Sequence, residues 1–206
     1  MNIIKTISLS LFGLILTTSI SAQTLKEPVN FKLKNGMNII VSESERSNNA
    51  YASFTLNNRD FADRKDGVLE LLNMVLNENS KQNKHVSFKD NSGKLATSEE
   101  NFDQELSQMA SVIQHANIEQ TTFNIAKAKL LTSLKNQDYD YDQTVNETSI
   151  GALNLEDVSS FYYQITPENC YLTIAGNIKL DKAKDAAKKA FANWSQTKNT
   201  STLTAK

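Results

Sequence analysis

A chain of 206 residues, 39% hydrophobic and 22% charged, is long enough to bury a sizeable core as one globular domain, with or without a short appendage. Its formal net charge of −1 supplies no excess of Lys and Arg to neutralise phosphates, which argues against a nucleic-acid partner. Cys170 is the sole cysteine, so no internal disulfide can form, and two prolines and six glycines point to regular structure with few long linkers. Residues 1–22 read as a signal peptide: Lys5 gives a positive start, residues 7–20 are apolar or small, and Ser-Ile-Ser-Ala before Gln23 fits a cleavage site. The apolar run is short for a membrane span and is interrupted by Ser8, Ser10, Thr17, Thr18 and Ser19, so cleavage is expected to leave no span. The mature chain then has 21 basic side chains, the 22 of the full sequence less Lys5, against 23 acidic ones.

Residues 23–30 form a polar leader. Residues 31–33 and 37–41 flank Lys34-Asn35-Gly36, a hairpin signal in which Asn-Gly supplies the positive-φ positions. Residues 50–56 alternate Tyr51, Ser53 and Thr55 against Ala52, Phe54 and Leu56, the pattern of a half-buried strand. A polar connection over 57–65 leads to a helix over 66–76, where Val68, Leu71, Leu72 and Val75 recur at the 3.6-residue period. Glu70 and Asn73 are its only polar interior positions. Residues 77–84 contain no apolar side chain and read as a surface loop.

Residues 85–88 and 94–97 bracket Asp90-Asn91-Ser92-Gly93, a second hairpin with the glycine ending the turn. An amphipathic helix over 102–116 presents Phe102, Leu106, Met109, Ile113 and Ala116. Another is expected from Asn117, with Gln120 in capping-box spacing and Phe123, Ala126, Leu130, Leu131 and Leu134 inward. Residues 138–147 are acidic and aromatic. Asn154 with Asp157 caps a short helix over 155–164, residues 166–169 form a turn, and 170–175 form a strand ending at Gly176-Asn177. A final helix over 181–194 is alanine-rich, and residues 195–206 are expected to be a disordered polar tail.

Strands that cluster early and helices that cluster in the middle favour α+β over a doubly wound sheet. The simplest way to bury these stripes is a mostly antiparallel sheet of four to six strands with helices packed on one face.

Five segments in order carry a resemblance. Phe31-Lys-Leu-Lys-Asn-Gly-Met-Asn-Ile-Ile-Val41 resembles an opening hairpin of the form x-L-x-N-G-[LM]-x-V-x-V. Asp66-Gly-Val-Leu-Glu-Leu-Leu-Asn-Met-Val-Leu76 resembles a helix of the form G-[IL]-[AS]-H-L-L-E-H-M-L. Glu156-Asp-Val-Ser-Ser-Phe-Tyr-Tyr163, Asn169-Cys-Tyr-Leu-Thr-Ile-Ala-Gly-Asn177 and Phe191-Ala-Asn-Trp194 are similar to the closing segments of the same family. The family is that of the pitrilysin–insulinase zinc peptidases, and the likeness runs in order over residues 31–194. It implies the metallohydrolase-like half of an insulinase-type peptidase, shortened after the first helix.

In active members that helix carries H-x-x-E-H: two histidines ligate zinc, the glutamate serves as general base, and a distant glutamate completes the site. Laid on this chain, the first histidine falls at Glu70, the glutamate at Asn73 and the second histidine at Met74. The first histidine in the whole sequence is His85. Where the distal glutamate is expected, around residues 126–135, Lys127, Lys129 and Lys135 stand instead. The expectation is no catalytic residue, no metal ligand and no cofactor, the zinc of the active relatives having lost its ligands.

The remaining chemistry-bearing residues read as structural. His115 suits a helix C-terminus and His85 a strand start, and no carboxylate–histidine–hydroxyl order suggests a triad. Residues 138–142 resemble half a calcium loop without its glycine or closing glutamate, and read as a solvated acidic loop. Glu70 is expected to pair with a lysine or face solvent, with a raised-pKa acid as the alternative. Cys170 reads as a small buried residue. Asn146, Asn193 and Asn199 stand in Asn-x-Ser/Thr sequons, which matter only in a glycosylating pathway.

The implied function is an exported, periplasmic or secreted, non-catalytic domain that holds structure or peptide beside an active zinc peptidase. Its partner would be a second insulinase-like domain or zinc-bearing homologue, and an extended peptide is the candidate ligand. Family members bind peptides by adding a strand to a sheet edge, which directs attention to residues 50–56 and 85–97. The alternatives are a residual metallopeptidase assembled with a partner and a free-standing periplasmic binding module.

Overall fold

The computed structural model describes residues 27–136 and 142–195. The signal segment, the leader up to residue 26, residues 138–141 of the acidic stretch and the tail beyond residue 195 lie outside the described residues.

Six strands form one sheet: β1 (Val29–Lys32), β2 (Asn38–Glu43), β3 (Ala50–Leu56), β4 (Val86–Lys89), β5 (Ser92–Thr97) and β6 (Cys170–Gly176), in the order β1-β2-β6-β3-β5-β4. Only β2 and β6 are parallel; the other neighbours are antiparallel. The helices are α1 (Val68–Asn79), α2 (Phe102–Gln114), α3 (Gln120–Asn136), α4 (Glu147–Ala152), α5 (Leu155–Tyr162) and α6 (Leu180–Phe191). The fold is α+β, as the element order implies.

Alternation along the strands decides which face the helices cover. Ile39, Val41, Ala52, Phe54, Leu95, Leu172 and Ile174 point to the helical side and are buried. Ile40, Ser53, Lys94, Tyr171 and Thr173 point the other way and reach solvent. On the buried side α1 packs on β4, α2 on β5 and α6 on β2, while α3 and α5 lie against α1.

The first and last elements grip each other. The Glu43 carboxylate at the end of β2 accepts the Leu180 N–H at the start of α6. At the other end Asn35, in the β1–β2 turn, donates its amide to the carbonyls of Phe191 at 2.7 Å and Trp194 at 3.0 Å. One orphan backbone group at each end of α6, the Leu180 N–H and the Phe191 C=O, is thereby satisfied by one hairpin. Beneath it Phe191 stacks on Phe54, with ring centroids 6.3 Å apart and planes within 6°, and Trp194 lies 6.0 Å from Phe54.

Several local expectations are corrected. The α1 helix runs on through Asn77–Asn79, read from sequence as loop, because those asparagines find partners: Asn79 donates to Val75 O at 2.8 Å and Asn77 bonds the β4 backbone. Gly93 lies inside β5, not at the end of the turn; the positive φ of 52° falls on Asp90. The α3 helix starts at Gln120, and Asn117 is not its cap, since the first helical bond runs from Phe123 N–H to Glu119 O at 2.8 Å; the Asn117 N–H donates to Asn79 Oδ1 at 2.6 Å. Leu131 and Leu134 are only partly covered, and Ser133 takes the buried position in their place. The α4 helix is an additional element within a polar stretch, entered through a reciprocal capping box of Asn146 and Ser149 whose spacing is visible in the sequence. Most consequential, β3 lies between β5 and β6 and has no free edge. Residues 50–56 therefore cannot accept an added strand.

Candidate functional site

The motif-bearing helix begins where a close approach fixes its entry. Gly67 has φ of 81°, and a Cβ there would sit 2.2 Å from Ile150 Cδ1 of α4. From Gly67 onward Val68, Leu69, Leu71, Leu72, Val75 and Leu76 are buried, which aims Glu70, Asn73 and Met74 along a boundary face.

Asn73 is 8% exposed and donates Nδ2–H to the Asp90 carbonyl at 2.8 Å. It therefore pins the residue that carries positive φ in the β4–β5 turn. An ionised glutamate at this place would have no proton to donate to that carbonyl. Met74 is half-buried and packs against the core. Glu70 is half-buried, and burial raises its carboxyl above the ordinary 4.5, with Asp90 and Asp142 adding to the rise and Arg64 opposing it. Among the described residues Arg64, not a lysine, is the cation that acts on it, and the Arg64 guanidinium donates to Phe61 O at 3.1 Å.

A carboxylate, a carboxamide already bonded and a thioether do not form the donor set of a hydrolytic zinc. Among the described residues no group of three or more His, Cys, Asp and Glu is placed to hold a metal ion. The cavity behind Asn73, walled by Phe54, Leu72, Phe88 and Tyr162, is about 20 Å³, room for a single water.

The three lysines on α3 are tethers. Lys127 Nζ donates to Gly151 O at 2.9 Å and Leu153 O at 2.7 Å, closing the C-terminus of α4, and lies 5.6 Å from the Phe123 ring centroid. Lys129 meets Glu78 of α1 at 2.5 Å, and with Lys81 it holds the Glu78 carboxyl below its usual value. Lys135 lies 3.8 Å from Glu147 of α4.

The other singled-out residues are also structural. Cys170 is buried, its thiol donates to Thr166 O at 3.0 Å, and burial pushes its pKa up, which disfavours the thiolate. His115 is the C-cap of α2, and His85 Nδ1 lies 3.1 Å from Ala96 O. Asn154 and Asp157 form the expected capping box of α5. Burial works to raise the Asp157 carboxyl, but Lys65 at 2.5 Å and the Asn154 N–H together hold it below its usual value.

Glu70→Gln tests the burial of that carboxyl. As pH rises, the unfolded chain loses the proton first, near 4.5, and the folded chain later, so the native state loses stability across that window. Glutamine removes the cost. In urea titrations Glu70→Gln should exceed the parent in stability at pH 8, with the gap closing below pH ~4.5. An unchanged gap across that range would show that the carboxyl is not desolvated.

Residues 152–205 match a family profile described as the peptidase M16 inactive domain. Among curated proteins, none matches the chain in sequence. The structure is similar to a protease from Helicobacter pylori, with TM-score 0.70 and 15% identity over 84% of this chain and 52% of that one. It is similar to the first half of the periplasmic protease PqqL from Escherichia coli, with TM-score 0.68 and 10% identity over 83% and 47%. A peptidase M16 inactive domain from Pseudomonas fluorescens aligns with TM-score 0.68 and 13% identity over 84% and 52%. This chain thus spans about half the length of each.

Proposed function

We propose, from the premise that this chain is a degenerate M16 (pitrilysin–insulinase) domain by its fold and by the match over residues 152–205, that it is an exported non-catalytic partner of an active zinc peptidase. The observation that carries the reading is the fate of Asn73. The resemblance of the 66–76 segment puts the general base of active relatives at Asn73 and the histidines at Glu70 and Met74, and the Asn73 amide donates to the Asp90 carbonyl. A scaffold whose working face serves its own packing can still support a neighbour. The chain spans about half of each solved relative, which supports a second M16-like domain as that neighbour.

The test has three readouts. Sequencing of the processed chain from the exported fraction should begin at Gln23. Metal analysis of the purified chain should find no stoichiometric zinc, and chelators should not alter proteolysis by the chain alone. Affinity capture from its own cells should retain an M16 homologue that carries H-x-x-E-H. Zinc bound by this chain together with chelator-sensitive cleavage would replace the reading with that of a peptidase. A lone monomer without peptide affinity would also overturn it.

A further inference from the structure

The sheet has two lateral edges, and they are not equivalent. On β4, His85 O accepts from Ala96 N at 3.2 Å, so the alternation of an antiparallel pair turns the backbone groups of Val86 and Phe88 outward. Those of Phe88 are already used. Asn77 Nδ2 donates to Phe88 O, and Phe88 N–H donates to Asn77 Oδ1, both at 2.8 Å. The carboxamide of α1 stands in for a neighbouring strand and closes that edge.

On β1 the same alternation gives the opposite result. Leu33 N–H bonds Met37 O at 2.9 Å, and Phe31 and Val29 pair with Ile39 and Val41, so Asn30 and Lys32 turn their N–H and C=O groups away from β2. Among the described residues nothing bonds those four groups. Beside them lies an open trough of about 550 Å³ with Ile40 and Tyr171 in its lining. Cations flank the strand on both faces: Lys32 on one, Lys184 over the Phe31 ring at 5.9 Å on the other, and Lys34 in the adjoining turn. None of the three has a carboxylate partner among the described residues, whereas Lys179, Lys182, Lys188 and Lys189 around α6 all do.

We propose that the β1 edge is the docking site of an extended acidic segment, which adds as a seventh strand beside Asn30 and Lys32 with carboxylates against Lys32, Lys34 and Lys184. This rests on the proposed reading of the chain as a non-catalytic partner, and names an edge and the chemistry of the segment it would hold. Backbone bonding supplies the register, and the three ammoniums select acidic side chains and make binding salt-sensitive.

The probes are two blocked, fluorescein-labelled ten-residue peptides, one alternating threonine with glutamate and the other threonine with lysine, followed by anisotropy against the purified chain. The glutamate peptide should bind at least ~10-fold more tightly than the lysine peptide, and should weaken as salt shortens the Debye length. Asn30→Pro deletes an outward N–H while leaving the β2 ladder intact, and should cut affinity about 10-fold or more. Lys32→Glu combined with Lys184→Glu should reverse the preference, and carries the test if the proline variant fails to fold.

Equal binding of both peptides, affinity untouched by either set of substitutions, or no binding at all would overturn the proposal. So would a concentration-dependent dimer abolished by Asn30→Pro, since a second copy would then be the occupant. Failure here with retained capture of the homologue would leave the partner reading intact and place its contact elsewhere. Loss of both would remove both.

Discussion

Phe191→Ala is expected to destabilise the chain by about 3–5 kcal/mol, the range for deleting a buried aromatic ring. The side chain is fully buried and is shared by three structures: it stacks on Phe54, faces Trp194 at 6.3 Å and ends α6 under the Asn35 clamp. Alanine would leave a void between α6 and β3 that the sheet cannot close, because β3 is held on both sides by β5 and β6. Against a total stability of about 5–15 kcal/mol, this is a large fraction of the whole. Thermal melts should fall by roughly 6–20 °C, at about 2–4 °C per kcal/mol for a chain of this size. A fall of only a degree or two would mean that the aromatic cluster is not formed as described.

Gly176→Ala should cost about 2–5 kcal/mol, by backbone strain and overpacking together. The residue has φ of 100°, and a Cβ there would lie 2.3 Å from the Asn49 carbonyl oxygen. That obstacle is backbone and cannot rotate aside. It also accepts from Asn177 N–H at 3.0 Å, while Gly176 O accepts from Ser44 N–H at 2.8 Å, so the clash falls where β2, β3 and β6 meet. Gly151 is the internal control. Nothing lies within 4 Å of its added Cβ, and Gly151→Ala in α4 should be neutral or gain up to about 1 kcal/mol. Urea unfolding of the two variants should differ by several kcal/mol; equal midpoints would sink the argument from the φ angle and close approach.

The elements that sequence made legible are those whose side chains alternate or recur strongly. The β3 bounds at Ala50 and Leu56, the buried face of α2 and the Asn154–Asp157 cap all follow from local patterning. What sequence did not reveal depends on polar groups that find partners far along the chain. Asn77 looked like the start of a loop because its helical position is justified only by Phe88 of β4. Likewise α4 hid in a polar stretch, since one face is secured by Lys127 and Ile150 meets the helix entry at Gly67. The edge strands could not be read at all from alternation. Whether a strand is central or lateral is a property of the β6 insertion, and β6 lies more than a hundred residues from β3. In the motif helix, residue identity at Glu70, Asn73 and Met74 was plain from sequence. That Asn73 holds the Asp90 carbonyl was not, because the turn it grips belongs to another element.

The position of β6 also constrains the order in which the sheet can close. It pairs β2 on one side and β3 on the other, so the strand that joins the two parts of the sheet emerges after all the others. At about 5–20 residues per second, roughly 4–16 s pass between synthesis of β5 and of β6, and during that time the nascent chain has two sticky strands with no neighbour between them. A message truncated before Cys170 would leave them so permanently, and its product should be cleared by chaperones and proteases instead of accumulating as a folded fragment.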